Sequence, residues 1–508
     1  MSMAPLSMTA LTKSQDSVDQ KPAIAAIATP VGEGGIAVIR VSGSDAFEKV
    51  ASCFRGADLS DPNAAPSHTV HYGTLATPAG ELVDEVLVTL FRSPRSYTGE
   101  NTAEISCHGG VLVTQKVLET ILSAGVRAAE PGEFTQRAFL NGKLDLTQAE
   151  AVADLIHAKS LRAVNAAGQQ LEGRLGEHIR QFRQQIIDAT AMVELELDFI
   201  EEDVEFANKE QLRSLLVGVM GELDVLLDTY EAGRLVKDGV RTVIMGRPNA
   251  GKSTLLNTLT GSDRAIVTEI AGTTRDTIDV DWSYEGLLFR LIDTAGIRET
   301  DDRVEAEGVL RSKKAFEQAD LVVYLKDLSQ PTTADELQEL ARWRMDAKDT
   351  PFLLVGTKAD LDRGIDSPGA TGTTGRTGTT DKADAADMAV VSGSSSPRQE
   401  QRLQYDLIIS AVSGENINPL KKLMKERALE HRDLDGGSLL VTSTRHRDAL
   451  QKAREHVKQA LEALDMGLTG DLLAIDLRAA LHDLGTVTGE ITNEDLLDSI
   501  FSRFCIGK

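Results

Sequence analysis

Apolar and polar positions follow three regimes along the chain. From Ala23 to Ser123 apolar residues come in short runs broken by turns. Ala23–Thr29 is a short apolar run, Glu33-Gly34-Gly35 a turn, and Ile36–Gly43 a strand that ends in a turn. Asp45–Phe54 reads as a helix, Val70–Leu75, Val83–Phe91 and Ala103–Cys107 as strands, and Val111–Ser123 as a helix. Mixed short elements of this kind predict an α+β domain.

The second regime runs from Leu146 to about Phe206 with almost no breaker. Ala149, Val152, Ala153, Ile156, Ile179, Phe182 and Ile186 recur at helical spacing, the mark of a core face. Gly168, Gly173 and Gly176 suggest a kink or a helix–helix junction, and Leu212–Tyr230 is a further amphipathic helix. The third regime is a set of solid apolar runs, Arg241–Met245, Leu288–Ile292, Leu321–Leu325, Phe352–Gly356 and Leu407–Ile409. Such runs suit strands buried on both faces of a parallel sheet. Thr442–Leu464 and Leu472–Leu484 then return to amphipathic helix. The economical architecture is an all-α domain with an α/β domain inserted into it.

Length and composition narrow this picture. The chain has 508 residues, enough for about three to four domains of ~150 residues. Hydrophobic residues make up 41%, which is ample for real cores, and the net charge is −24. A chain this acidic binds a phosphate backbone poorly as a whole, so a nucleic-acid substrate needs a local basic face or a partner. Three cysteines, Cys53, Cys107 and Cys505, argue for a reducing compartment without a disulfide framework. No apolar run reaches the ~18 residues of a membrane span. Residues 1–21 lack a signal core and read as a disordered tail, so a cytoplasmic protein is expected. Ser367–Arg402, rich in Gly, Thr, Ser and Ala, reads as a disordered insertion. The expected division is a tail at 1–21, an α+β domain at 22–140, helical segments at 141–237 and 431–508, and the α/β domain at 238–430.

Candidate chemistry concentrates in the α/β part. Gly246-Arg247-Pro248-Asn249-Ala250-Gly251-Lys252-Ser253-Thr254 fits the phosphate-loop pattern between a predicted strand and a predicted helix. Backbone N–H groups freed by glycine converge on phosphate oxygens, Lys252 supplies charge, and the Ser253 hydroxyl can ligate Mg²⁺. Thr268-Glu269-Ile270-Ala271-Gly272-Thr273-Thr274 follows at switch-loop spacing, where a threonine can close over Mg²⁺ and the γ-phosphate. Asp293-Thr294-Ala295-Gly296 ends a strand, with Asp293 toward Mg²⁺ and the Gly296 N–H toward the γ-phosphate. Thr357-Lys358-Ala359-Asp360 ends another strand, and Asp360 can accept the paired N–H donors of guanine. Ser410-Ala411-Val412 supplies the last base contact. These motifs in this order indicate a doubly wound P-loop GTPase domain of Ras-like type, binding GTP at the strand ends.

Two positions depart from the usual pattern. Thr357 stands where Asn is common and is shorter, so nucleotide binding is expected to be weaker by ~1 kcal/mol. Ile297 stands where a glutamine would orient the attacking water, so another residue must do so. Outside this domain the residues alone are less telling. Arg40 and Glu104 interrupt apolar strands and are either on a solvent face or buried with a partner. Gly109-Gly110 after His108 opens a helix that can hold an anion, and the acidic Glu194–Asp203 stretch reads as a solvated helix end. Asn493 is a candidate helix N-cap, and Cys505, fourth from the end, has no role fixed by composition.

Taken together, the chain from about Ala23 onward resembles the tRNA-modification GTPase family MnmE, also called TrmE. The resemblance is carried by Gly34-Gly35-Ile36 through Arg40-Val41-Ser42-Gly43, Tyr97-Thr98-Gly99-Glu100, Pro131–Leu146, the GTPase motifs with Ile270–Asp276, and the final Phe504-Cys505-Ile506-Gly507-Lys508. It implies a folate-binding, dimerising N-terminal domain, a helical domain and an inserted GTPase domain. It also implies work with the FAD-dependent flavoprotein MnmG on tRNA, with a one-carbon unit from 5-formyl- or methylene-tetrahydrofolate. Arg40, Glu104, Lys143 and Lys508 match folate-contacting positions, and Cys505 matches the family's tail cysteine. Asn249, Thr268, Ile270 and Thr273 match ligands of a K⁺ ion at a GTPase-domain dimer contact, Ser253 and Thr274 match Mg²⁺ ligands, and Glu305 matches the catalytic glutamate that positions water. A ribosome-assembly GTPase and a purely structural regulator are the rival readings. The first would need a basic RNA-binding module, and none is visible in the sequence.

Overall fold

The short N-terminal runs close into one mixed sheet. The computed structural model describes residues 22–56, 64–198, 209–261, 279–293, 314–361, 403–430 and 439–508. Its first elements are β1 (Ile24–Ile27), β2 (Gly34–Ser42), α1 (Ala46–Cys53), β3 (Phe54–Arg55), β4 (Thr69–Ala76), β5 (Leu82–Phe91), β6 (Thr102–Gly109), α2 (Val111–Ser123) and β7 (Arg127–Ala128). The seven strands take the order β3-β4-β5-β6-β2-β1-β7. They pair antiparallel except at the β1–β7 edge. Alternation on β5 sends Val86, Val88 and Leu90 inward, where they meet Phe47 and Val50 of α1 and Val117 and Ile121 of α2. Val70, Tyr72 and Leu87 stay exposed.

The breaker-free stretch becomes a series of helices after α3 (Glu133–Leu140). These are α4 (Leu146–His157), α5 (Leu161–Leu171), α6 (Arg174–Asp198), α7 (Lys209–Asp228) and α8 (Tyr230–Asp238). Of the three glycines singled out above, Gly173, at φ 84°, marks the junction between α5 and α6. Gly168 and Gly176 lie inside helices, and Gly176 is a close-approach site, since a Cβ there would sit 2.1 Å from an Asp145 carboxylate oxygen. Asp145 starts α4 through a capping box with Gln148.

The solid apolar runs form a second sheet: β8 (Val240–Gly246), β9 (Asp279–Tyr284), β10 (Leu287–Asp293), β11 (Leu321–Asp327), β12 (Phe352–Thr357) and β13 (Leu407–Ile408). Among them lie α9 (Lys252–Gly261), α10 (Ala334–Asp346) and α11 (Ile417–Ala428). The order is β13-β12-β11-β8-β10-β9, parallel except for the β9–β10 hairpin. Val243, Ile244, Val322, Val323, Leu353 and Val355 are buried, as strands covered on both faces require.

The chain then returns as α12 (Thr444–Asp465), α13 (Gly470–Thr488) and α14 (Glu494–Phe501). Ile179, Phe182 and Ile186 of α6, Leu216 and Leu223 of α7, Leu450 and Val457 of α12, and Leu477 and Leu484 of α13 share one core. Asn493 caps α14, its side-chain oxygen accepting from the Leu496 N–H at 2.8 Å. The chain is thus an α+β domain, an all-α domain and an inserted α/β P-loop domain. Two compact units hold them: one from Met1–Ala158, Ala163–Lys237 and Gly437–Lys508, the other from Lys159–Arg162 and Asp238–Gly436.

Within the first unit α4 is anchored twice. Its start, Leu146 and Ala149, packs with Leu497, Phe501 and Phe504 of the C-terminal segment. One turn on, Glu150 accepts from Arg445 Nε at 2.8 Å and lies 2.6 Å from Nε2 of the fully buried His446. Burial pushes the Glu150 carboxyl up, but the His446 imidazole and the Arg445 guanidinium outweigh it and hold it well below the carboxylate range. Asp154, 2.7 Å from Lys237, is shifted the other way by burial. Among the described residues no helix is long and apolar enough to cross a membrane. The expected tail at 1–21, the insertion at 367–402, the end of the acidic stretch from 199 to 203, the 268–274 loop, residues 294–297 and Glu305 lie outside the described residues.

Candidate functional site

Parallel strands put their C-terminal ends on one edge of the second sheet, and the nucleotide motifs gather there. β8 runs directly into the phosphate loop. That loop needs left-handed backbone at three places, Gly246 at φ 143°, Asn249 at 65° and Gly251 at 93°. At Gly246 the need is also steric, because a Cβ would sit 2.5 Å from the Leu325 carbonyl. Ala250 is buried, whereas Asn249, Ser253 and Thr254 are exposed at the loop and the start of α9. The Lys252 ammonium donates to the Gly246 and Arg247 carbonyls at 2.7 and 2.9 Å, which fixes it over the loop.

The base-reading motif sits on the neighbouring strand ends. Thr357 Oγ1 lies 2.8 Å from the Ala250 carbonyl and 3.2 Å from the Lys326 carbonyl, with one proton to give. The shorter side chain therefore still bridges β12 to the phosphate loop. Lys358, at φ 62°, places its ammonium 2.6 Å from Asp327 Oδ2. Ala359 and Asp360 begin a single 3₁₀ turn. The buried Ser410 hydroxyl donates to Asp360 Oδ1 at 2.6 Å, which orients a carboxylate able to accept two adjacent N–H donors. Thr258 of α9 donates to the Ala411 carbonyl at 3.0 Å, joining the last base loop to the helix behind the phosphate loop. Val412 beyond it is 81% exposed. Asp293 closes β10.

A cation held here would need hard oxygen donors. Among the described residues no group of three or more His, Cys, Asp or Glu could hold a metal ion. The Ser253 hydroxyl and the Asn249 side-chain carbonyl suit Mg²⁺ and K⁺ shared with phosphate oxygens, a usual arrangement for hard cations.

A second site lies in the first unit. The β2–β6 register sets Arg40 opposite Glu104, and Arg40 Nε donates to Glu104 Oε1 at 2.9 Å. Arg40 also lies 5.0 Å from the Tyr97 ring centroid and 5.7 Å from that of Phe134. Its Nη1 is buried with no hydrogen-bond partner, a gap that a ligand oxygen would fill. Lys508 is the third charge. Burial lowers its pKa, Arg40 lowers it further and Glu104 opposes, so the tail ammonium feels both members of the pair. Lys143 is placed differently: its ammonium donates to the Pro94 carbonyl at 3.1 Å, on the loop that carries Tyr97. Cys505 is exposed with a free thiol.

Sequence reasoning missed what supports this site. Glu100 accepts from the Ser42 hydroxyl at 2.8 Å and from Arg137 Nη1 at 3.1 Å, and the buried Arg137 also reaches Glu133 at 2.9 Å. Asn141 donates to the Thr98 carbonyl at 2.7 Å. Together these hold the Tyr97–Glu100 loop over Arg40. The available signal was the i,i+4 pair Glu133–Arg137 on α3. Tail docking depends on glycines. A Cβ on Gly132 would meet the Phe501 carbonyl at 2.6 Å, and one on Gly507 the Ile27 carbonyl at 2.2 Å.

Comparison with known proteins finds relatives along nearly the whole chain. A family model described as the MnmE helical domain matches residues 146–505, and one described as the GTP-binding protein TrmE N-terminus matches residues 23–143. The chain is 47% identical over 491 residues to the tRNA modification GTPase MnmE of Salinibacter ruber, covering 97% of this chain and 100% of that protein. It is 42% identical over 485 residues to the tRNA modification GTPase MnmE of Cytophaga hutchinsonii, covering 96% of this chain and 97% of that protein. With the protein of the same description from Christiangramia forsetii it shares 43% identity over 496 residues, covering 96% and 99%.

Proposed function

The chain belongs to the MnmE family of tRNA modification GTPases, and on that premise we propose that it couples GTP hydrolysis to modification of the wobble uridine of certain tRNAs. The reaction adds a carboxymethylaminomethyl group at C5 of that uridine, together with the FAD-dependent partner MnmG. The one-carbon unit comes from 5-formyl- or methylene-tetrahydrofolate held by the first unit. The observation that carries the folate half is the buried, unpartnered Nη1 of Arg40, whose Nε is bound to Glu104. A pterin ring presents adjacent N–H donors, which Glu104 can accept, and a carbonyl oxygen, which Arg40 can satisfy. Lys143 contributes from the neighbouring loop. Cys505 stands on the exposed tail, with its chemical role open.

In the nucleotide half, Lys252 supplies charge to the outer phosphates and Asp360 reads guanine. Ser253 and Thr274 would hold Mg²⁺, and Asn249, Thr268, Ile270 and Thr273 would hold K⁺. Bound there, the cations would supply positive charge to the phosphates as the γ-phosphoryl group passes to water and GDP leaves. Glu305 is assigned the positioning of water, which Ile297 cannot do. The exposed, cross-strand neighbours Tyr72 and Leu87 support a homodimer through the N-terminal sheet.

The decisive experiment is nucleoside analysis of tRNA from cells lacking this protein. An unchanged wobble uridine would overturn the proposal. Titration of the full chain with 5-formyl-tetrahydrofolate tests the folate half, and equal GTP hydrolysis in K⁺ and Na⁺ would remove the potassium assignment. Normal hydrolysis by Glu305→Ala would do the same for Glu305.

A further inference from the structure

We infer that Asp327 is a positioning residue for nucleotide binding, which acts by locking Lys358 in place before guanine arrives. The inference rests on the GTP-binding reading above. β11 ends at Asp327, whose register partner on β12 is Thr357. The residue that follows β12, Lys358, is thus within reach of the Asp327 side chain. Its ammonium lies 2.6 Å from Asp327 Oδ2. The other carboxylate oxygen is already held, accepting from the Ser329 N–H at 2.9 Å and the Ser329 hydroxyl at 2.6 Å. The turn beneath is held as well. The buried Lys326 ammonium donates to the Asp327 and Gln330 carbonyls at 2.7 and 3.0 Å and pairs with Glu336 at 3.4 Å.

Asp327 is therefore fixed at both its backbone and its far carboxylate oxygen, and Lys358 is what it grips. Lys358 stands between Thr357, tied to the phosphate loop, and Asp360, oriented by Ser410. A lysine side chain has much rotamer freedom to lose. Where that freedom is already lost in the free protein, nucleotide binding does not have to remove it. Burial pushes the Asp327 carboxyl up, but Lys358 and Ser329 outweigh it and leave it below its ordinary value, so the carboxylate is ionised at neutral pH.

The test measures affinity for a fluorescent GDP analogue and the kinetics of GTP hydrolysis on the full chain. The variants are Asp327→Ala, Asp327→Asn and Lys358→Met, with both doubles that join an Asp327 change to Lys358→Met. Asp327→Asn keeps size and an acceptor for Ser329, so it reports on charge if the alanine variant misfolds. The expected result is a loss of roughly tenfold in affinity for Asp327→Ala, falling on KM rather than kcat. A further variant, Asp327→Glu, which restores the charge on a longer arm, is expected to recover part of it. In the Lys358→Met background the Asp327 change should add nothing, since its target is gone. Wild-type affinity in both single Asp327 variants would overturn the inference. So would additive losses in the doubles, or a lowered thermal midpoint with unchanged affinity. Failure of the wild-type chain to bind the GDP analogue would instead sink the GTP-binding reading itself.

Discussion

The two candidate sites are built by opposite means. At the phosphate loop the chain uses consecutive residues, with left-handed backbone at Gly246, Asn249 and Gly251 of the kind that turns N–H groups toward a phosphate. At Arg40 the chain uses side chains: Glu104 arrives by strand register, and Lys508 arrives from the last helix and tail. The first site depends on local geometry. The second depends on the whole first unit being assembled. Disturbing one by its own logic should leave the other intact.

The largest effect expected from that contrast is at Lys252. Lys252→Met removes the point charge at the outer phosphates and is expected to lower GTP turnover by about 10²–10³-fold. Folate affinity of the same variant should stay within about twofold, since the two sites are built in separate compact units from different residues. Phosphate release and folate titration on one preparation check both arms. Parallel loss in both would show that the sites are not separable.

Next comes the ionic anchor of α4. Glu150→Gln leaves the buried His446 and the half-buried Arg445 without their carboxylate and is expected to destabilise the first unit by about 3 kcal/mol. The pH dependence has a definite sign. The Glu150 carboxyl is depressed on folding, so its contribution is present above the unfolded value of about 4.3 and is lost as pH falls toward the folded one. Asp154 is raised, so acid first relieves its burial as pH falls through its folded pKa. Thermal unfolding from pH 7 down to pH 3 should thus show the wild type losing more stability below about pH 4 than Glu150→Gln does. Equal slopes would mean that the anchor carries no linkage.

A smaller effect is expected where the tail docks. Gly507→Ala brings a methyl against the Ile27 carbonyl at a backbone φ of 101°, at a cost of roughly 1–3 kcal/mol. The tail can escape that strain by lifting off, which takes Lys508 from Arg40. The expected readout is a folate affinity lowered by about tenfold with GTP turnover unchanged within about twofold. Because burial depresses Lys508, folate binding should also weaken as pH rises, beginning below the range of an ordinary lysine. A pH profile identical in Gly507→Ala and the wild type would show that Lys508 does not reach the ligand.

The same contrast explains what could be read from the chain. The doubly wound sheet and its motifs were legible because solid apolar runs mark buried parallel strands and the loop chemistry is contiguous. Arg40 and Glu104 gave no such signal. A charge inside a strand has two ordinary explanations, and only the Arg40–Glu104 register decides between them. Lys508 was illegible without the family resemblance, because its place is set by Gly132 against Phe501 and Gly507 against Ile27, contacts between distant stretches. Asp327 was passed over for a related reason: its importance lies in what Lys358 reaches, not in a motif of its own.

The smallest effect sharpens the local side of the comparison. From residue type, Thr357 in place of asparagine should weaken nucleotide binding by ~1 kcal/mol. The structure places its hydroxyl 2.8 Å from the Ala250 carbonyl, so the tether between β12 and the phosphate loop is made by the shorter group. Thr357 is also 3% exposed, with the Lys326 carbonyl 3.2 Å away on its other side. An asparagine there has more atoms to fit into that space, and its gain at the base must offset the crowding. Thr357→Asn is therefore expected to change GDP affinity by less than about fivefold, a difference under ~1 kcal/mol. Thr357→Val, which keeps the shape and deletes the hydroxyl, should weaken binding more than Thr357→Asn strengthens it. Titration with a fluorescent GDP analogue separates the cases. A tenfold gain in the asparagine variant would show that the tether is second best. A silent valine variant would show that Thr357 holds nothing.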